Sequence, residues 1–292
     1  MAAVSAFDRL MATSLPSAAP KHRPKLDELR SDTTLTHLAK RLSLAPSKGA
    51  RHRFDVAPGN DYITIAPGIY HFPKALTADA QESLVWQCDN DVMQWSDTEP
   101  KYPAKLQPVS TLGFTSMYAV GAGRRWSYGS DTKRLHDTGD CAALPASFAK
   151  AYATMINACP FFFPESLECT MAYVNYYPRE WGKLGWHSDR DASRKSTVRG
   201  DPVVSFSVGD TANFDFAIPR ALDEAKLGLS NGLTCLNQPV TRTVRVRLKS
   251  GDALVFGGPA RQVRHRVASI DARTSTAPMV AGRLNVTLRS WG

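Results

Sequence analysis

From about residue 166 onward, apolar and polar positions alternate with a period of two. The runs are "CTMAYVNYY" (169–177), "VVSFSVGD" (203–210), "NFDFAI" (213–218), "VRVRLKSGDALVFG" (244–257) and "RLNVTLRSW" (283–291). Alternate side chains of an extended chain point to opposite faces, so each run predicts a short strand with one face turned to a core. Gly, Asp and Pro turns separate the runs, which predicts an all-β barrel or jelly roll rather than parallel βαβ units.

Upstream the period changes to about 3.6. "TADAQESLVWQCDNDVMQW" (77–95) carries apolar Val85, Cys88, Val92 and Trp95 near helical spacing behind a capping Thr77. "LPASFAKAYATMINACP" (144–160) places Pro145 in a first turn, puts Phe148, Tyr152, Met155, Ile156 and Cys159 on one stripe, and ends at Pro160. The predicted fold is mostly β with flanking helices: helices first, then a jelly-roll core. Residues 1–55, rich in Ala, Ser, Pro, Lys and Arg, read as a flexible basic extension. Residues 56–165 then form a helical region and 166–292 the β core, in which 217–243 breaks the strand pattern as an insertion.

Composition adds bounds. At 292 residues and 43% hydrophobic content the chain can bury a sizeable core. With 36 Lys plus Arg against 27 Asp plus Glu, the formal charge of +9 favours a polyanionic partner. The 5 cysteines form no C-x-x-C pair, which predicts reduced thiols in an intracellular protein. No run reaches the roughly 20 apolar residues of a membrane span, so no membrane partner is expected. The N-terminal Ala, Ser and Arg content leaves two readings of the tail open, a disordered extension and a mitochondrial transit peptide. The compartments expected are accordingly nucleus, cytoplasm or mitochondrion, and the chain is expected to be a monomer.

Candidate chemistry begins at "GWHSDRD". In an extended segment His187 and Asp189 point the same way and offer one ion an imidazole and a carboxylate. The pair alone fits a solvated turn equally well. Only one histidine follows it, His265 in "GGPARQVRH", behind the apolar strand "DALVFGG". Two His and one carboxylate with open positions make the facial arrangement of non-haem Fe(II) oxygenases. On the last strand Arg283, Asn285, Thr287 and Arg289 share one face and Leu284, Val286 and Leu288 the other. Periodicity permits the arginines to face water, or to face inward onto an anion that compensates their burial. Tyr173, Asn175 and Tyr177 likewise share a face that reads either as ordinary sheet surface or as part of a dicarboxylate pocket.

Taken in order, N-x-Y at 175–177, H-x-D at 187–189, the distal His265 and R-x-N-x-T-x-R at 283–289 resemble the AlkB family of Fe(II)/2-oxoglutarate-dependent dioxygenases. "NYY…LGWHSDR" resembles the branch of the first human AlkB homologue, and the similarity covers about residues 62–292. The resemblance implies a double-stranded β-helix in which His187, Asp189 and His265 bind Fe(II). It also implies that Arg283, with Asn285 and Tyr177, grips the distal carboxylate of 2-oxoglutarate. Asn175 and Arg289 would complete the co-substrate site, Arg289 near the metal.

The implied activity is oxidative demethylation of alkylated bases in DNA or RNA, single-stranded or flipped, with release of succinate, CO₂ and formaldehyde. Trp126 and Tyr128 fall where the family keeps its nucleotide-recognition lid, Trp126 reading also as a packing residue, and Asp191 would face the base edge. Arg190, Arg194, Lys195 and Arg199 are candidate phosphate contacts, as are Arg245, Arg247 and Lys249 on one strand face; each set also reads as a solvated basic surface. The 217–243 insertion is either a substrate-gripping lid or an inert loop. Two rival readings stay open: the same chemistry on protein side chains, and an inactive nucleic-acid-binding module.

Overall fold

A computed structural model describes residues 54–59, 61–88, 91, 107–109, 113–120, 125–128, 136–140, 142–160, 167–177, 179, 182–189, 194–227, 231–275 and 282–290. Two short strands open it, β1 (Ile63–Ala66) and β2 (Ile69–Phe72), joined by a hairpin through Gly68. Helix α1 (Ala78–Cys88) follows, and the Thr77 hydroxyl caps it by accepting from the Ala80 N–H at 3.2 Å. Next come β3 (Gln107–Val109), β4 (Gly113–Ala119), β5 (Arg125–Tyr128), β6 (His136–Asp140) and β7 (Ala142–Ala143). Helix α2 (Ala146–Asn157) has Pro145 as its N-cap, one position before the expected first turn. Val92 and Trp95 of the predicted first helix lie outside the described residues.

The remaining elements are β8 (Met171–Tyr177), β9 (Leu184–His187), α3 (Arg194–Arg199), β10 (Val203–Gly209), β11 (Thr211–Pro219), α4 (Arg220–Asp223), β12 (Val240–Leu248), β13 (Ala253–Phe256), β14 (Arg264–Asp271) and β15 (Arg283–Arg289). They build two facing sheets. The major sheet runs β1-β2-β13-β10-β15-β8-β4-β3, with β7 beside β4, and the minor sheet runs β12-β11-β14-β9. Strands β5 and β6 form a separate two-stranded ribbon. Among the described residues, no helix is long and apolar enough to cross a membrane.

Two apolar layers explain the sequence pattern. Outside the major sheet, Leu84, Val85 and Cys88 of α1 and Phe148, Tyr152 and Met155 of α2 pack on Val174, Tyr176, Val204, Phe206, Leu284, Val286 and Leu288. Between the sheets lie Ile69, Tyr177, Val203, Phe214, Phe216, Leu254, Phe256, Val263 and Val267. A strand such as β10 is therefore buried on both faces. Its residues at 205 and 207 are serines because that face looks into a polar interior.

Three expectations change. Helices do not simply precede strands: β2 pairs with β13 inside the major sheet, so the chain before residue 166 contributes to the jelly roll itself. The core also starts earlier than "DYITIA", because Phe54 is buried edge-on against Phe148 and Phe206. Finally, both ends of the 217–243 insertion belong to the sheet, since Ala217 pairs with Thr243 and Ile218 with Arg242. Outside the ladder lie the α4 turn and the described residues 224–227 and 231–239. Part of this stretch is fastened, with Leu222 and Cys235 in the intersheet core and Gly232 pressed against the backbone of Thr197 and Gly200, where a Cβ does not fit.

Candidate metal and co-substrate site

The antiparallel register of β9 and β14 sets His187 directly opposite His265. Their rings lie 4.3 Å apart between centroids, and each Nε2 is 3.8 Å from Oδ1 of Asp189. One ligand atom from each of the three residues lies within 4.8 Å of the others. The tautomers are set from behind. His187 Nδ1 donates to the Gly185 carbonyl at 2.8 Å and His265 Nδ1 to the Val263 carbonyl at 3.1 Å. Both Nε2 lone pairs are then left for a shared cation, the usual arrangement behind metal-bound imidazole.

Electrostatics agree with that reading. Burial pushes the His265 pKa down to about 3, so the ring is neutral and able to ligate at ordinary pH. For Asp189 burial acts in the opposite sense, but the neighbouring Arg289 guanidinium, with His265, His187 and Arg261, holds the carboxyl below the usual carboxylate range. Arg289 Nη2 sits 3.2 Å from Asp189 Oδ2. Phe256 meets His265 edge-on at 5.2 Å and Phe214 stacks on it at 5.5 Å, so this ligand sits among aromatic rings.

The arginine face of β15 points inward. Leu284, Val286 and Leu288 pack beneath the helices, which turns Arg283, Asn285, Thr287 and Arg289 toward the space between the sheets. Across the β8–β15 ladder, Arg283 is opposite Tyr177 and Asn285 opposite Asn175. The five residues expected to hold a co-substrate thus share one face of two adjacent strands. Asn285 Nδ2 donates to Ser205 Oγ at 2.7 Å and to the Phe206 carbonyl at 2.9 Å, and Asn175 Oδ1 accepts from Thr115 at 2.7 Å.

Arg283 differs from these satisfied amides. It is 0% exposed, its Nη2 donates to Ser207 Oγ at 3.0 Å, and it lies 4.9 Å from the Tyr177 ring centre. Its Nε and Nη1 are buried with no hydrogen-bond partner among the described residues. Burial lowers its pKa, and the neighbouring Tyr177 offsets that only in part. A buried guanidinium costs several kcal/mol unless a carboxylate meets it. Two unsatisfied guanidinium donors suit a carboxylate, and so one end of a dicarboxylate such as 2-oxoglutarate.

Some functional residues gave little signal in the sequence. Arg261 Nη1 donates at 2.7 Å, and Gln262 Nε2 at 3.3 Å, to the Asp189 carbonyl, so the turn before His265 pins the loop carrying the carboxylate ligand. Ser205 and Ser207 could have been found, as polar positions alternating with Val204, Phe206 and Val208. Of the expected substrate residues, Trp126 and Tyr128 lie on β5 in the separate ribbon. Asp191 and Arg190 lie outside the described residues. Arg194 and Lys195 are exposed on α3, whereas Arg199 forks onto the buried Asp201. The β12 cations are tied down: Arg245 bonds Asp215 at 2.7 and 3.0 Å and Arg247 bonds Asp271 at 2.9 Å.

A jelly roll with this triad beside an inward arginine pair is the build of an iron- and 2-oxoglutarate-dependent oxygenase, and residues 68–289 match the 2OG-Fe(II) oxygenase superfamily. The chain belongs to that superfamily and, within it, to the AlkB family. It is 35% identical over 236 residues to the alpha-ketoglutarate-dependent dioxygenase AlkB homolog of Caulobacter vibrioides, covering 78% of this chain and 89% of that one. It is 29% identical over 258 residues to the Arabidopsis thaliana protein named DNA N(6)-methyladenine demethylase ALKBH1D. That match takes in 82% of this chain but 52% of the relative, so the chain spans about half the relative's length. Among solved structures, OsALKBH1 superposes with a TM-score of 0.55 at 27% identity, over 78% of this chain and 100% of that one.

Proposed function

We propose that this chain is an Fe(II)- and 2-oxoglutarate-dependent oxidative demethylase of alkylated bases in DNA or RNA. The carrying observation is that the ligand cluster His187–Asp189–His265 and the unpaired donors of Arg283 belong to one jelly-roll interior. Bound there, Fe(II) with 2-oxoglutarate and O₂ supplies oxidising power: the co-substrate leaves as succinate and CO₂, and one oxygen atom hydroxylates an N-methyl carbon that departs as formaldehyde.

The chain's own groups hold and orient. Each imidazole is fixed in one tautomer by a backbone carbonyl, and Arg261 and Gln262 hold the Asp189 backbone. Arg289 stabilises the Asp189 charge. Arg283 anchors the distal carboxylate and so aims the rest of the co-substrate at the metal ligands. A methylated base reaches such a site only from a single strand or after flipping out of a duplex. The formal charge of +9 favours a polyanionic substrate, and the name of the Arabidopsis relative supports a methylated base.

The test incubates the protein with Fe(II), ascorbate, 2-oxoglutarate and N-methylated oligonucleotides, DNA and RNA, single- and double-stranded. Formaldehyde and demethylated base should form in equal amounts, and His187→Ala should abolish both while leaving oligonucleotide binding nearly intact. If the wild type binds metal and 2-oxoglutarate but demethylates only protein substrates, the nucleic-acid reading is wrong. Demethylation by His187→Ala at the wild-type rate would remove the metal from the mechanism.

A further inference from the structure

We infer that Trp186, Arg266 and Asp215 form a brace on the outer face of the minor sheet that positions His187, the metal ligand carried by β9. The inference rests on the metal-site reading above and adds residues that touch neither metal nor co-substrate.

The need for a brace follows from the topology. β9 has four residues, lies at the edge of the minor sheet, and pairs with β14 through only two registered positions, His265 with His187 and Leu184 with Val267, with an irregularity between them. So short an edge strand is weakly fixed by its ladder alone. Yet it carries His187 and leads directly into Asp189. Arg261 and Gln262 pin the Asp189 carbonyl, but they act beyond the end of the strand.

Trp186 precedes His187, so the alternation of a strand turns it to the opposite face. There the Arg266 guanidinium lies 4.6 Å from its ring centre, and Arg264 approaches the same ring at 5.9 Å. These two arginines flank His265 in sequence, which sets both histidine ligands back to back with the Trp–Arg stack. Arg266 is itself held: its Nε donates to Asp215 Oδ2 at 2.8 Å, and Asp215 takes both forks of Arg245 at 2.7 and 3.0 Å. The Asp215 side chain is 1% exposed, so these charge-assisted bonds form around a desolvated carboxylate. Arg245, Asp215, Arg266 and Trp186 therefore run as one chain across β12, β11, β14 and β9. An edge strand with little ladder is tied through its tryptophan to the middle of the sheet.

Mn(II), a redox-inert probe of the iron site, tests this by electron paramagnetic resonance titration of the full-length protein at saturating 2-oxoglutarate. Trp186→Ala and Arg266→Met should each weaken Mn(II) binding about tenfold, the low end of the effect of losing a group that orients a metal ligand. Trp186→Phe, which keeps an aromatic platform for Arg266, should stay within roughly twofold of wild type. Leu84→Ala, on α1 beneath the other sheet, should lower the melting temperature without loosening Mn(II). If Trp186→Ala fails to fold, Arg266→Met and Asp215→Asn carry the test.

The brace is overturned if folded Trp186→Ala and Arg266→Met proteins hold Mn(II) as tightly as wild type, or if Leu84→Ala loosens it equally. Unchanged Mn(II) affinity with weakened oligonucleotide binding would also overturn it and make this face a nucleic-acid surface. A wild type that binds no Mn(II) would instead overturn the metal-site reading on which the brace rests.

Discussion

Two strands of this molecule carry nearly the same pattern and meet opposite fates. In β12, Arg245 and Arg247 alternate with Val244, Val246 and Leu248; in β15, Arg283 and Arg289 alternate with Leu284, Val286 and Leu288. These β12 arginines stand on an outer face, with side chains 54% and 59% exposed, and pair with Asp215 on adjacent β11 and with Asp271 on β14, one strand further on. Those of β15 are buried, and Arg283 keeps two donors with no partner. The difference lies in position. β12 is the edge of the minor sheet, whereas β15 runs between β10 and β8 with helices packed on its leucine face. An arginine on an edge strand finds water and an acid, but one in the middle of a sandwich must await a guest.

The strongest way to break the comparison is to remove that guest's anchor. Arg283→Leu should raise KM for 2-oxoglutarate on the order of a hundredfold or more, as expected when one partner of a buried charge pair is removed. Arg247→Leu, outside the Trp186 brace, should leave KM unchanged. Stability should invert. Without 2-oxoglutarate, Arg283→Leu should be more stable than wild type, by about 1–4 kcal/mol, because an unpaired buried charge is replaced by an apolar side chain. At saturating Mn(II), adding 2-oxoglutarate at a hundred times its Kd should stabilise the wild type by about 2.7 kcal/mol and Arg283→Leu far less. Melting curves of both proteins with and without 2-oxoglutarate read this directly. A wild type already as stable as Arg283→Leu when ligand-free would mean that Arg283 is satisfied within the chain.

A second contrast uses pH. His265 faces inward, and burial holds its pKa at about 3, against an unfolded value of about 6.5. Between those values the unfolded chain takes up a proton that the folded chain refuses. Metal-free protein should therefore lose stability as pH falls through this window, at up to about 1.4 kcal/mol per pH unit from this group. His265→Gln should flatten the slope between pH 7 and 5. Asp215, on the outer face, is penalised by burial but held below the ordinary carboxylate range by Arg245 and Arg266. Its contribution is present above its unfolded value near 3.8 and is lost below it, so Asp215→Asn should leave the slope between pH 7 and 5 unaltered. Urea midpoints of the chelated proteins at several pH values test both, and an unchanged slope in His265→Gln would place the titration elsewhere.

The same contrast shows what could be read from residues alone. His187, Asp189, His265 and the Arg283–Arg289 face were legible because strand alternation and chain order are one-dimensional, and the expected triad converges in space. The direction in which the arginines point was not, since period two names two faces without saying which is wet. Arg261 and Gln262 escaped because their partner, the Asp189 carbonyl, lies more than seventy residues away in the chain. The acid that occupies both Arg245 and Arg266 was hidden for a similar reason: Asp215 reads as one polar step of "NFDFAI" until the register sets it between two arginine-bearing strands. α3 has too few turns for a helical stripe, and its basic residues read equally as phosphate contacts or as a solvated surface.

The smallest predicted effect concerns that surface. Of the candidate phosphate-binding cations with described side chains, Arg199, Arg245 and Arg247 already grip acids, whereas Arg194, Lys195 and Lys249 are exposed and show no ion pair among the described residues. A cation spent on a carboxylate has less to offer a phosphate. Replacing both Arg194 and Lys195 with alanine should reduce the salt dependence of single-strand binding, by roughly 0.7 in log–log slope for each phosphate no longer neutralised. Arg247→Ala should change neither slope nor affinity measurably, and its stability cost should stay within about 1 kcal/mol, as for exposed ion pairs generally. Fluorescence anisotropy titrations of a single-stranded oligonucleotide at several salt concentrations separate the two. If Arg247→Ala lowers the slope and the double variant does not, then β12 rather than α3 lies along the nucleic acid, and the outer strand's arginines would share with the inner strand's the task of holding an anion.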